Sequence, residues 1–135
     1  MRNSDLIPFQ KGIKAGTDFV MVSHISAPNA VSQDLPASLS SEFITDLLRG
    51  EMGYNGIIIT DAMNMGAITD RYDSAQAAVM AFQAGADMIL MPEDFQSAYE
   101  GILQAVNSGT ISEERLDQSV MRILETKLEN FEKNP

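Results

Sequence analysis

Three short apolar runs divide the chain: Phe19-Val20-Met21-Val22, Ile57-Ile58-Ile59-Thr60 and Met88-Ile89-Leu90-Met91. Each is continuous rather than alternating. Runs of this kind predict strands covered on both faces, as in a parallel sheet. The stretches between them have helical spacing. Phe43, Ile44, Leu47 and Leu48 predict a helix from Ser40 to Met52, with Ser40 or Ser41 as N-cap and Gly53 at its end. An Ala-rich helix is predicted over Ser74 to Ala84, stopped by Gly85. A third is predicted over Gln96 to Asn107, from Tyr99, Ile102, Leu103 and Val106. Ser112-Glu113-Glu114 opens a last one, with Leu116, Val120, Ile123, Leu124 and Leu128 on one side. The predicted order is α-β-α-β-α-β-α-α, an α/β chain with a parallel sheet.

A repeated corner supports that order. Ala15-Gly16-Thr17-Asp18 precedes the first run and Ala84-Gly85-Ala86-Asp87 the third. Each reads as a helix end, a glycine turn, an acidic residue and a strand, with glycine supplying the left-handed conformation. Gly53-Tyr54-Asn55-Gly56 serves the second run in the same way. These corners are tight, whereas the segment after the first run, Ser26 to Leu39, is long for a βα loop and holds Pro28 and Pro36. Loop length is therefore spent at the C-terminal strand ends, where parallel α/β folds carry their chemistry.

Composition narrows the function classes. The chain has 135 residues, with 9 Lys+Arg against 19 Asp+Glu, a net charge of −10. No strongly basic face is available, so nucleic-acid binding is not expected. With 44% hydrophobic residues the chain can build a core. No apolar run approaches the ~20 residues that span a bilayer, and no signal-like apolar core follows Met1 to Asp5. The compartment stays open. The absence of cysteine removes disulfides, thiolate metal sites and thiol nucleophiles.

Asp61 is the sharpest chemical candidate, because a carboxylate at the tip of a buried strand is costly unless it is paired or used. Its alternative reading is a helix cap or turn closer. His24, the one imidazole, ends the first run. It could bind a substrate hydroxyl or, as a structural histidine, orient a loop. One His cannot build a metal site, and no metal or cofactor is expected. Glu93 and Asp94 read as a helix N-terminus, where acidic groups suit the dipole. Met63, Met65, Met88 and Met91 read as packing. No Ser/His/Asp triad and no phosphate-cradling glycine loop can be assembled.

The segment Gly56-Ile57-Ile58-Ile59-Thr60-Asp61-Ala62-Met63-Asn64-Met65-Gly66-Ala67-Ile68 resembles the nucleophile segment of glycoside hydrolase family 3. Val20-Met21-Val22-Ser23-His24-Ile25, Leu35-Pro36-Ala37-Ser38-Leu39-Ser40, Leu47-Leu48-Arg49 and Ala84-Gly85-Ala86-Asp87 through Met91-Pro92 resemble its neighbouring strands, loop, helix and turn. The resemblance runs from Leu6 to Leu128 and is strongest with the β-N-acetylhexosaminidase branch. It implies a (β/α)8 barrel and a retaining mechanism with Asp61 as nucleophile. His24 and Met65 are the expected substrate-binding residues. The implied substrate is a carbohydrate, an N-acetylglucosamine-type glycoside of cell-wall origin, with β-glucosidase specificity as the family's alternative.

In that branch the acid/base is a His paired with an Asp in an upstream Lys-His…Pro-Gly-His-Gly type segment. The present sequence has no such segment. Residues 1–135 are therefore expected to form one partial domain: parallel βα units making about half of a (β/α)8 TIM-type barrel, the last three βα units plus a C-terminal helix. A full barrel takes roughly 250 residues. The isolated chain is expected to be inactive, and its open sheet edges to promote self-association. The rival classes are a non-catalytic half-barrel interaction module and a phosphoacceptor receiver-like domain. A receiver needs an acidic pair after its first strand, where this chain has Ser23-His24.

Overall fold

The protein is described here from a computed structural model covering residues 5–26 and 34–133. Helix α1 (Ile7–Lys14) leads into strand β1 (Phe19–Val22). A 3-10 turn (Ala37–Leu39) and a π-helix (Glu42–Glu51) precede strand β2 (Ile57–Thr60). Four helices follow: α2 (Gly66–Thr69), α3 (Ser74–Ala84), α4 (Phe95–Asn107) and α5 (Glu113–Lys133). This is an α/β arrangement, rich in helix around a small parallel sheet.

β1 and β2 pair in parallel, Phe19 opposite Ile57 and Val22 opposite Thr60. Residues 87–90 lie along the other edge of β2, joined by a parallel bridge between Ile59 and Met88. The apolar pattern predicts a full third strand there, and the structure corrects this. The amide of Leu90 donates to the Thr60 hydroxyl at 3.1 Å instead of to a main-chain carbonyl. A side chain has taken a ladder position, and regular pairing stops. The expectation of strands covered on both faces holds for β2, where Ile57, Ile58 and Thr60 are buried. It fails for β1. Val20 and Val22 pack on the helical layer, but Phe19 and Met21 point the other way and are 47% and 52% exposed. β2 has a neighbour on each side and β1 on one.

The helices start where capping chemistry puts them. Asp73 accepts from the Gln76 amide at 2.8 Å, Asp94 from Ser97 at 3.0 Å, and the Ser112 hydroxyl from Arg115 at 3.1 Å. Asp94 is thus the N-cap of α4. Of the two serines offered for the next helix, Ser40 holds the N-cap backbone, extended at φ −104° and ψ 118°, with its carbonyl accepting the Ile44 amide at 3.0 Å, whereas Ser41 already has helical dihedrals and makes no side-chain cap bond. That helix is wound wide, with the Met52 amide reaching back five residues to Leu47 at 2.9 Å. The expected long segment after β1 falls partly on residues 27–33, outside the described residues.

The main core lies between the sheet and the helical layer: Leu39, Ile44, Leu48, Tyr54, Ile58, Met63, Ile68 and the alanines of α3. Small residues let elements approach closely. A Cβ on Gly101 of α4 would lie 2.8 Å from the Ala75 methyl of α3. Gly85 holds φ +117° at the end of α3, with Ile44 and Thr45 packed against it.

The N-terminal end of the sheet is tied by one buried carboxylate. Asp87 accepts from Arg49 at 2.5 Å, the Ile58 amide at 2.9 Å, Ser119 at 2.6 Å and Arg122 at 3.0 Å. Arg115 stands 3.9 Å away and donates to the Phe82 and Ala86 carbonyls. Burial lowers the basicity of Arg49 and Arg115, and the Asp87 charge pushes back against it. Among the described residues no helix is long and apolar enough to cross a membrane.

Candidate active site

The C-terminal strand ends gather three segments: residues 23–25 after β1, 61–65 after β2, and 91–92 after the third run. Asp61 is the first residue beyond β2. Its amide still donates into the sheet, to the Val22 carbonyl at 2.9 Å. Its side chain is half-buried, and Oδ1 accepts the Ala62 amide at 2.8 Å. Among the described residues no arginine or lysine forms an ion pair with it. A carboxylate without a paired cation keeps the electron density that attack on an electrophilic carbon requires.

His24 lies across from it. Nδ1 is 2.7 Å from the Ser38 hydroxyl and Nε2 is 2.9 Å from the Ala62 carbonyl. Both nitrogens thus meet protein partners, and a substrate hydroxyl at His24 would have to displace one of them. Ser38 is fully buried in the 3-10 turn. That turn is pinned to the segment after β1 by Ala37 N to Ile25 O at 2.9 Å and Ser38 N to Ser23 O at 3.2 Å.

Met65, just before α2, is 45% exposed on the same end of the sheet, while Met63 is buried in the core. The Met63 amide donates to the Leu90 carbonyl at 2.9 Å, which ties the loop after Asp61 to the third run. Met91 follows at φ +46°, an unusual backbone for a side-chain-bearing residue, and is exposed.

Among the described residues no cluster of His, Asp and Glu fits a metal ion. Two concavities, of about 210 and 360 Å³, lie elsewhere. One sits between β1 and the π-helix, the other between the N-terminal strand ends and the last turns of α5, and neither includes Asp61.

The structure brings Asp61, His24 and Met65 to one end of the sheet. Two residues with structural weight there and beneath it were not singled out by sequence reasoning. Ser38 has as its one signal a hydroxyl inside the apolar Leu35–Leu39 stretch. Asp87 reads from sequence as a corner residue indistinguishable from Asp18, which is exposed.

Comparison with known proteins agrees with this arrangement. The family model described as "Glycosyl hydrolase family 3 N terminal domain" matches residues 1–126. A solved glycoside hydrolase family 3 β-N-acetylglucosaminidase from Paenibacillus sp. superposes with a TM-score of 0.88 at 46% identity, over 91% of this chain and 24% of that one. Beta-hexosaminidase A of Pseudoalteromonas piscicida is 32% identical over 95% of this chain and 25% of its own length. The beta-N-acetylglucosaminidase/beta-glucosidase of Cellulomonas fimi is 31% identical over 90% of this chain and 23% of its own. The chain spans about a quarter of the length of these relatives. With the matched family model covering nearly all of it, and β-N-acetylhexosaminidases among its relatives, this chain belongs to glycosyl hydrolase family 3.

Proposed function

We infer that the chain is part of a retaining glycoside hydrolase acting on β-linked N-acetylglucosamine-type glycosides, with Asp61 as the nucleophile. The observation that carries this is Asp61 itself: a half-buried carboxylate at the tip of β2, one oxygen oriented by the Ala62 amide and no cation paired with it among the described residues. In the proposed first step an Asp61 oxygen bonds to the anomeric carbon as the bond from that carbon to the leaving oxygen breaks. A proton must reach the leaving oxygen, and water later cleaves the glycosyl ester with help from the same group acting as base. The one histidine of the chain has both nitrogens engaged, and Asp94 caps a helix. By the family resemblance the acid/base is assigned to the His-bearing segment that this sequence does not contain.

In this reading residues 1–135 are the last three βα units of a (β/α)8 barrel plus its C-terminal helix. The remaining units would pair with the free edge of β1, cover Phe19 and Met21 and complete a sugar pocket over Asp61, with Met65 lining it. A nucleophile without its acid loses roughly 10²–10⁴-fold from general catalysis alone, and more from the incomplete pocket.

The test is a chimaera in which this chain replaces the corresponding quarter of the Paenibacillus enzyme. It is expected to hydrolyse an aryl N-acetyl-β-glucosaminide, and Asp61→Asn to lower kcat by at least about 10³-fold. The 135-residue chain alone is expected to release no aryl product. Aryl release by the chain alone, or an Asp61→Asn chimaera as active as its parent, would overturn the reading.

A further inference from the structure

We propose that Ser38 and His24 form a relay that fixes the peptide after Asp61 and, through it, the direction of the Asp61 carboxylate. The proposal rests on the reading of Asp61 as nucleophile and gives His24 a part in the reaction as a positioning residue.

The bonding partners determine the protonation pattern. The Ala62 carbonyl can only accept, so Nε2 must carry the hydrogen it donates across 2.9 Å. In the neutral ring Nδ1 then has a lone pair, and the Ser38 hydroxyl, 2.7 Å away, must donate to it. Ser38 is fully buried, so water does not compete for that bond. The relay therefore selects one tautomer, and that tautomer matches the Ala62 carbonyl.

What it holds is the peptide between Ala62 and Met63. His24 takes its carbonyl from the β1 side, while its amide donates to Leu90 at 2.9 Å on the opposite side. The peptide before Asp61 is held as well, by the Asp61 amide on the Val22 carbonyl at 2.9 Å. Between these two clamped units lies the Asp61–Ala62 peptide, whose amide points at Asp61 Oδ1 across 2.8 Å. Its freedom to rotate is limited from both sides, so the carboxylate is aimed before substrate arrives. Removing the His24 donor leaves the Ala62–Met63 peptide held on one side only, by the Met63 amide on Leu90, and so loosens the neighbouring Asp61–Ala62 peptide.

The test uses nuclear magnetic resonance on the full 135-residue chain. His24 is its single imidazole, so the ring signals are unambiguous. At about pH 8, long-range proton–nitrogen correlations are expected to report a single tautomer with hydrogen on Nε2. Three-bond couplings to the Asp61 side-chain carboxyl carbon are expected to report one χ1 rotamer. A δ tautomer, or a rapidly averaging pair, would overturn the relay. His24→Gln places an amide donor where Nε2 stood and is expected to keep the Asp61 rotamer. His24→Asn overlays Nδ1, falls short of Ala62, and is expected to lose it to averaged couplings, as is His24→Ala. A role confined to filling space would leave Asp61 unmoved in all three, and that result also overturns the relay. Should His24→Ala fail to fold, Ser38→Ala keeps the ring and is expected to admit the δ tautomer. An unchanged ring spectrum in Ser38→Ala counts against the relay. These readouts are independent of turnover: a relay that fails leaves the chimaera result for Asp61 standing, and a chimaera that fails leaves the tautomer standing.

Discussion

Replacing Asp87 by Asn removes one negative charge from a site with three guanidiniums. The Asp87 side chain is fully buried, while those of Arg49, Arg115 and Arg122 are 15%, 20% and 26% exposed. One carboxylate oxygen serves Arg49 and the Ile58 amide, the other Ser119 and Arg122. It thus joins the π-helix, β2, the third run and α5 at one point. Asparagine keeps the shape, but its amide group turns two hydrogens toward groups that are themselves donors. Removing one partner of a buried pair costs about 3–5 kcal/mol. The arginines keep some water, and Arg49 and Arg115 keep their carbonyl partners, so the lower end applies, about 3 kcal/mol. That is a large share of the 5–15 kcal/mol typical of a domain. Equilibrium urea denaturation followed by circular dichroism measures the loss, and amide exchange along α5 locates it. Arg122→Met in the Asp87→Asn background should recover part of the loss by removing an uncompensated charge. A destabilisation below about 1 kcal/mol, with α5 protection unchanged, would refute the reasoning.

Two further predictions concern the same layer and the open face of the sheet. Burial pushes the Tyr54 hydroxyl up to about 12, and it donates to the Ile57 and Thr17 carbonyls. An unfolded tyrosine ionises near 10, so between those values the unfolded chain loses its proton and the native chain does not. Stability should therefore be intact below about pH 10 and fall by about 2–3 kcal/mol as pH rises toward 12. Tyr54→Phe should remove that component of the alkaline limb in urea titrations repeated across pH, and an unaltered limb would sink the assignment. The free edge of β1, with Phe19 and Met21 exposed, should make the isolated chain self-associate as its concentration rises. Light scattering reads this directly, and a monomer at every concentration would count against the proposed barrel remainder as the cover of that face.

Much of the fold was legible because its causes are local. Asp94 and Ser112 announce their helices within three residues of sequence, and Gly85 ends α3 with a backbone open to glycine. The run Ile57-Ile58-Ile59-Thr60 is a buried strand as its pattern says, with Asp61 at its tip. The family segment around Asp61 is contiguous, so it too could be read along the chain. Periodicity and capping act over one or two turns, and the amino-acid order alone determines them.

Other features depend on which distant groups meet. Continuous apolar runs look alike in sequence, yet β2 is enclosed, β1 is open on one face, and the third run is reduced to a bridge. The last outcome turns on the Thr60 hydroxyl, thirty positions from the Leu90 amide it accepts from. The environment of His24 comes from Ser38 and Ala62, 14 and 38 positions away. Asp18 and Asp87 occupy the same corner of the same repeated motif. Asp18 is exposed beside Asn130, whereas Asp87 is buried among arginines 28 to 38 positions off in either direction. Sequence by itself determined the acidic corner, because a helix end, a glycine and a strand are local preferences. Only the tertiary structure decided which acid carries the fold, because burial and charge pairing depend on what packs above it.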